Sequence, residues 1–316
     1  MAIFKDYLEN KSPLILHGAL GTEMESLGYD ISGKLWSAKY LLDKPEVIQK
    51  IHETYVAAGS DLITTSSYQA TLPGLIDAGL TEKEAEQIIA LTVQLAKNAR
   101  DKVWATLDDS EKAKRPYPLI SGDVGPYAAY LANGSEYSGD YGQITIEALK
   151  DFHRPRIQIL LDQGVDLLAL ETIPNHLEAQ ALIELLAEEF PEAEAYISFT
   201  VQEPGTISDG TSLDEIAQLV SQSDQILALG INCSSPLLYN QALTILKNAG
   251  KALITYPNSG EVYDGSTQTW KPKDKDAQTL VEHSKDWHAQ FGVKILGGCC
   301  RTRPNDIKAL YTEFRT

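Results

Sequence analysis

Short apolar runs alternate with amphipathic helical patterns along the whole chain, and this alternation is the feature that most restricts its fold. Eight strand-like runs, each taken with the turn residues that follow it, cover 14–17, 61–68, 118–126, 165–174, 195–201, 226–233, 252–260 and 293–300. Patterns with helical spacing cover 45–58, 81–105, 145–163, 176–190, 213–222, 237–248, 276–291 and the segment from 304 onward. Eight strands that alternate with helices predict an α/β fold, a (β/α)8 TIM barrel.

An open, doubly wound parallel sheet is the alternative to a barrel. Glycine-rich stretches follow several different strands, and none of them forms a G-x-G-x-x-G unit. A barrel spreads its functional residues over many strand ends, which is the distribution found here. No linker divides the chain, and 316 residues are a common length for one barrel, so we expect a single domain.

The charge and the N-terminal segment exclude several classes of protein. There are 44 acidic residues against 27 lysines and arginines, a net charge of −17, which opposes binding to nucleic acid and to anionic membranes. The first residues carry charges where a signal peptide needs an apolar core, and no apolar run approaches the roughly 18 residues of a membrane span. We predict a cytosolic monomer or small homo-oligomer.

Cys233, Cys299 and Cys300 are the only cysteines of the chain, and all three follow predicted strands. The carboxyl ends of barrel strands meet at one mouth, so these thiols are expected to converge there. Three thiolates around Zn²⁺ leave one tetrahedral position open, which is typical of a catalytic site. The alternatives are ordinary buried thiols and a strained disulfide between Cys299 and Cys300, which would leave Cys233 unused.

Several motifs distributed over nearly the whole chain point to a known family. They are HGALGTEME at 17–25, SSYQAT at 66–71, GPYAAYLANGSEYSGDY at 125–141, ETIPN at 171–175, SFT with SDGT, GINC at 230–233, YPNSGEVYD at 256–264 and GGCCRTRP at 297–304. Together they resemble the homocysteine S-methyltransferase family, most closely the branch that uses S-methylmethionine or S-adenosylmethionine. The resemblance implies one homocysteine-binding barrel domain over residues 1–316.

The resemblance also implies a mechanism and its residues. The homocysteine thiol becomes the fourth zinc ligand and attacks the methyl carbon of a sulfonium donor, forming methionine. Glu171 holds the amino group of homocysteine. Asn232 supports the neighbouring zinc ligand or contacts substrate, with a turn role as the alternative. Tyr127 and Tyr130, in a loop with four tyrosines, face the sulfonium through cation–π attraction or pack the loop.

His17 departs from the family pattern, which usually has Asp at this position to help bind the substrate amine. A neutral histidine accepts a hydrogen bond, whereas a charged one repels an ammonium. Either the affinity for substrate is altered, or Glu171 carries the amine alone; His17 is otherwise an oriented strand-end residue or an additional metal ligand. Because of this departure, the second hypothesis is a methyltransferase of the same fold that acts on another thiol or on a selenol. A non-catalytic zinc-binding barrel, which needs a fourth ligand, is the third hypothesis.

Overall fold

Eight parallel strands form the core of the molecule and confirm the predicted barrel. The computed structural model describes residues 3–32, 36–260, 262–264, 269–271 and 278–315. The barrel strands are β1 Leu14–Ile15, β2 Leu62–Thr64, β3 Leu119–Val124, β4 Leu167–Ile173, β5 Ala195–Phe199, β6 Ile226–Asn232, β7 Ala252–Tyr256 and β10 Ile295–Leu296. Their order is β1–β10–β7–β6–β5–β4–β3–β2, and a parallel bridge between Leu16 and Leu62 joins the two ends.

Helices follow the strands and cover the outside of the barrel. The α-helices are α1 Ile3–Leu8, α2 Leu20–Ser26, α3 Lys39–Asp43, α4 Pro45–Ala58, α5 Leu72–Asp77, α6 Glu82–Trp104, α7 Asp109–Lys112, α8 Tyr127–Leu131, α9 Ser135–Ser138, α10 Ile146–Asp162, α11 His176–Glu189, α12 Leu213–Ser221, α13 Tyr239–Leu246, α14 Leu280–Phe291 and α15 Pro304–Arg315. Short 3₁₀ helices occupy Trp36–Ala38, Pro236–Leu238 and Lys247–Ala249. None of the helices in the described ranges is long and apolar enough to cross a bilayer.

Local signals in the sequence account for several helix boundaries. Pro45 opens α4 at a position where its missing N–H costs nothing, and Gly59 ends it with φ of 112°. Thr81 and Glu84 form the predicted capping box at the start of α6.

Two loop predictions needed correction. The predicted loop with four tyrosines after β3 contains the short helices α8 and α9, and Ser135 of α9 is buried. The loop predicted between the strand-like run 252–260 and the helical pattern 276–291 contains an antiparallel pair, β8 Val262–Asp264 and β9 Thr269–Lys271. The remainder of that loop, and the first residues of the predicted helix 276–291, lie outside the described residues.

Side chains alternate between the interior and the exterior of the barrel. On β4, Leu167 and Ala169 belong to the inner apolar cluster, whereas Leu168 and Leu170 pack against the helices. The inner cluster receives members from all eight strands and from Phe4 of α1, which is fully buried. Continuing the alternation directs Glu171, the next inward residue of β4, into the barrel near its carboxyl end.

A buried aspartate reinforces the closure between β1 and β2, where the strand pairing is shortest. Asp61 precedes β2 and is fully buried; it accepts a hydrogen bond from the N–H of Ile15 at 2.9 Å through Oδ2 and donates its own N–H to the Ile15 carbonyl at 2.6 Å. Arg315 of α15 places Nη2 2.7 Å from the same carboxylate. Burial raises the pKa of Asp61, and Arg315 opposes that rise. The last helix therefore contributes a charge to the barrel seam.

Replacing Arg315 with alanine should destabilise the fold strongly, because it leaves the Asp61 carboxylate buried without its closest cation. We expect a loss of about 3 to 5 kcal/mol in the free energy of unfolding, measured by urea denaturation. Arg154→Ala is the matched control, since Arg154 pairs with the partly exposed Glu189 and its loss should cost less than about 1 kcal/mol. Equal, small losses for the two variants would contradict this account of the seam.

Candidate active site

The three cysteines converge at the carboxyl-terminal mouth of the barrel. Cys233 directly follows β6, and Cys299 and Cys300 follow β10, two strands away around the ring. Their three Sγ atoms all lie within 4.8 Å of one another, and the Sγ atoms of Cys233 and Cys300 are 3.6 Å apart. All three side chains remain partly exposed. The convergence that strand counting predicted is therefore present.

Backbone geometry after β6 and β10 fixes the direction of these thiols. Cys233 has a φ of 49°, an unusual left-handed conformation for a residue with a side chain. The N–H of Cys299 donates to the Pro257 carbonyl at 2.7 Å. A Cβ on Gly297 would lie 2.7 Å from Leu16 Cβ, and one on Gly298 would lie 2.4 Å from Thr302 Oγ1. Only glycine fits at these two positions before the cysteine pair.

The sulfur cluster has the chemistry and the spacing of a metal site. Tetrahedral zinc with Zn–S bonds of about 2.3 Å requires sulfurs about 3.8 Å apart, close to the arrangement seen. Hydrogen bonds with Cys233 and Cys299 hold the pKa of Cys300 well below its usual range, and hydrogen bonds with Cys233 and Cys300 raise the pKa of Cys299. Ionising all three thiols would bring three negative charges together and would need a compensating cation, so this trio could hold a metal ion. Within the described ranges, no His, Asp or Glu joins the group.

Glu171 lies beside the sulfur cluster, inside the barrel at the end of β4. Tyr256 of β7 donates its hydroxyl to Glu171 Oε2 at 3.1 Å, and Ser198 of β5 in turn hydrogen-bonds Tyr256. Burial raises the pKa of Glu171 to about 7, with Tyr256 lowering it and the charge of Cys300 raising it further. This carboxyl is thus poised to gain a negative charge when a cation arrives.

Asn232 clamps the backbone next to Glu171. Thr172 has a φ of 64°, which is strained for a β-branched residue. The Asn232 side chain accepts the Thr172 N–H at 3.1 Å through Oδ1 and donates to Thr172 Oγ1 at 2.7 Å through Nδ2. These two bonds join the end of β6, one residue before Cys233, to the end of β4, one residue after Glu171.

His17 packs against helix α4. Its ring centroid is 5.8 Å from that of Tyr55, and Nδ1 contacts the carbonyl of Gly18, while the buried Nε2 has no hydrogen-bond partner. Burial lowers the pKa of His17 to about 4, so the ring is neutral at physiological pH. His17 is not part of the cysteine cluster identified as a metal site.

Tyr127 and Tyr130 belong to an aromatic cluster with Tyr141 and Phe152. The Tyr127 ring lies 5.7 Å from Tyr130, 5.4 Å from Tyr141 and 5.0 Å from Phe152. The Tyr130 hydroxyl donates to Asp77 at 3.0 Å. These contacts correspond to the packing alternative, and a role of the pair toward a sulfonium stays a prediction.

Other residues near the thiols carried no assigned role in the sequence prediction. Tyr68 donates its hydroxyl to Glu136 at 3.1 Å, and its pKa is raised well above the usual value by burial, by Glu136 and by Cys233. Burial, followed by the charges of Cys233 and Cys300, raises the pKa of the Tyr137 phenol. Both tyrosines lie within motifs on which the family resemblance rests. The sequence therefore indicated the segments that reach the thiols, but not which of their tyrosines do so.

The eight-stranded barrel and the three cysteines at its mouth define a (β/α)8 protein with a thiol cluster that could hold a metal ion. The sequence profile described as homocysteine S-methyltransferase matches residues 14–314. The chain therefore belongs to the homocysteine S-methyltransferase family, and the predicted family, fold and enzyme class are confirmed.

Similar proteins cover nearly the whole chain. The homocysteine S-methyltransferase YbgG of Bacillus subtilis is 44% identical over 96% of this chain and 95% of its own length. The selenocysteine methyltransferase of Astragalus bisulcatus is 40% identical over 94% of this chain and 91% of its own length. The metallated crystal structure of the homocysteine methyltransferase MmuM from Escherichia coli superposes with a TM-score of 0.86 at 40% identity, covering 98% of this chain and 99% of that one.

Removing one sulfur should abolish metal retention. For Cys300→Ser we expect the bound metal to fall from about one equivalent per chain to a trace, because a hydroxyl is a poor replacement for a soft thiolate. Elemental analysis of carefully reduced protein measures the content, and circular dichroism shows whether the variant is folded. A folded Cys300→Ser protein that keeps a full equivalent of metal would reject Cys300 as a ligand.

Removing the Asn232 side chain should destabilise the backbone turn at Thr172, next to Glu171. Asn232→Ala leaves the Thr172 N–H without its acceptor, and we expect a loss of about 1 to 3 kcal/mol in the free energy of unfolding. Thr172→Gly added to Asn232→Ala should recover part of that loss, because glycine adopts a φ of 64° without strain. Failure of the second substitution to recover any stability would show that Asn232 does not act through this backbone turn.

Proposed function

We propose that this protein transfers a methyl group from S-methylmethionine or S-adenosylmethionine to homocysteine, forming methionine, with Zn²⁺ held by Cys233, Cys299 and Cys300. It acts as one barrel domain. The observation that carries the proposal is the partly exposed trio of sulfurs beside the inward carboxyl of Glu171. Membership of the homocysteine S-methyltransferase family supports the choice of acceptor.

The reaction needs an anionic sulfur and a methyl group that leaves readily. Zinc, when bound, would lower the pKa of the acceptor thiol, so that the thiol loses its proton at neutral pH. The sulfur then attacks the methyl carbon in line; the new carbon–sulfur bond forms as the carbon–sulfur bond of the donor breaks. The electron pair of the broken bond stays on the donor sulfur, which leaves as a neutral thioether. No side chain of the protein has to move a proton during transfer.

Glu171 is proposed to bind the ammonium of homocysteine and so to orient its thiol toward the sulfur cluster. Tyr256 holds the carboxyl through a 3.1 Å hydrogen bond, and the Asn232–Thr172 clamp fixes the adjoining backbone. A substrate held at both its amine and its sulfur has little rotational freedom left, which lowers the entropic part of the barrier.

The donor is proposed to lie above the thiols, where aromatic and acidic groups suit a cation. Tyr68, Glu136 and Tyr137 surround this side of the mouth, and a phenol face or a carboxylate attracts a sulfonium. Tyr127 and Tyr130 remain candidates for the same role at the rim. Both donors carry the sulfonium that these groups recognise.

A second candidate acceptor is selenocysteine or a related selenol. It is favoured by the 40% identity to the selenocysteine methyltransferase of Astragalus bisulcatus and by the histidine at position 17. A purely structural zinc site is less favoured, because no fourth ligand joins the sulfurs in the described part of the chain.

The decisive assay offers homocysteine with each sulfonium donor and measures methionine by chromatography. We expect methionine with at least one donor, and a loss of about 10- to 100-fold in kcat/KM for Glu171→Gln, because the amide cannot pair with the ammonium. Glu188→Gln is the matched control on the outer surface, where Glu188 contacts Lys150. Absence of methionine with both donors in zinc-loaded wild-type protein would refute the reaction.

The acceptor affinity should also depend on pH through Glu171. Lowering the pH through about 7 protonates this carboxyl and removes the charge that holds the ammonium, so kcat/KM for homocysteine should fall. In Glu171→Gln, kcat/KM for homocysteine should not show the fall that protonation of this carboxyl causes near pH 7. An unchanged profile in the variant would assign the titration to another group.

A further inference from the structure

Asp123 has a buried side chain inside the barrel, and it has no role in the closure of the barrel or in the proposed reaction. It lies on β3, two residues beyond Ser121 and four beyond the inward Leu119, so the strand alternation directs it into the barrel. Its side chain is only 4% exposed, and the buried Oδ1 has no hydrogen-bond partner. A buried, unpaired carboxyl oxygen is costly, which marks a position where a ligand is expected.

The hydrogen bonds found for Asp123 within the described residues involve only its backbone. Its N–H donates to Thr65 Oγ1 at 2.9 Å, and its carbonyl accepts from Ser67 Oγ at 2.8 Å. The charge of Arg156 lowers the pKa of Asp123, but its Nη1 donates to the carbonyls of the loop after β2, at 3.0 Å in the case of Tyr68. The strand is thus held firmly while the carboxyl itself is left available.

Asp123 and Glu171 stand on neighbouring strands and face the same interior. Asp123 pairs with Ala169 in the sheet register, so Glu171 is two residues further toward the mouth, about 7 Å along the strand. Burial, and then the charge of Glu171, raise the pKa of Asp123. Two carboxyls on neighbouring strands that face the same interior gain most from a cation that binds between them.

The usual partner of Glu171 is missing at the end of β1. The family resemblance leads us to expect a carboxylate at position 17, but this chain has a neutral histidine whose ring packs against Tyr55. A primary ammonium carries three donors and is best satisfied by more than one acceptor.

We propose that Asp123 and Glu171 form a two-carboxylate subsite for the α-ammonium of the amino-acid acceptor, with β3 supplying the carboxylate that the family usually places on β1. This inference rests on the proposed function for the identity of the acceptor. In this arrangement the acceptor sulfur lies at the cysteines and its amine reaches inward between the two strands. Asp123 binds the substrate and takes no part in transfer.

Isothermal titration of the zinc-loaded protein with homocysteine and with its des-amino analogue, 4-mercaptobutanoate, tests the subsite. Asp123→Asn keeps the size of the side chain and removes its charge; we expect homocysteine to bind about 10- to 100-fold more weakly and 4-mercaptobutanoate to bind unchanged. Asp123→Ser serves as a second variant if the amide disturbs folding. Asp162→Asn, at the exposed end of α10, is the matched control.

Selective loss of homocysteine binding, with the analogue unaffected, supports the subsite. Equal weakening of both ligands would show a structural effect and overturn it, as would unchanged binding of homocysteine. The proposed reaction fails independently of this result: wild-type protein that binds homocysteine with the Asp123-dependent preference but forms no methionine would retain the subsite and lose the methyl transfer.

Discussion

Parallel hydrogen bonding that returns the last strand to the first is the constraint on which the rest of this structure depends. The ring brings the carboxyl ends of β3, β4, β6 and β10 to one mouth, although these strands are far apart in sequence. At the seam between β1 and β2 the pairing is short, and the buried Asp61–Arg315 pair supplements it. Without closure of the ring, the sulfurs that follow β6 and β10 would not lie near the carboxyls of β3 and β4.

Two features of the site lower the stability of the fold: closely spaced ionisable groups and a strained backbone. Three sulfurs lie within 4.8 Å of one another, and two carboxyls on neighbouring strands face the same interior. The strained Thr172 and the left-handed Cys233 lie beside these groups. Such strain persists because the surrounding strands determine the backbone, and ligands that carry positive charge relieve the electrostatic part of it.

The sequence was sufficient for the barrel, because eight short apolar runs between helical patterns leave few other folds, and for the convergence of the three cysteines. It also pointed to Glu171, since an acid after Leu167–Leu170 is unusual on a buried strand. It could not separate Tyr68 and Tyr137, near the thiols, from Tyr127 and Tyr130 in the aromatic cluster, because all four stand in similar motifs. No role was predicted for Asp123 within the strand-like run 118–126, because only the strand register shows that it lies beside Glu171.

The fully buried Phe4 of α1 packs into the inner cluster at the amino-terminal end of the barrel, opposite the cysteines. In the proposed reaction both substrates therefore use one entrance, and the amino-acid acceptor occupies the deeper position. A donor that arrives first would stand in the path of the acceptor. We accordingly expect the proposed reaction to be ordered, with homocysteine entering before the sulfonium and the demethylated donor departing before the newly methylated acceptor.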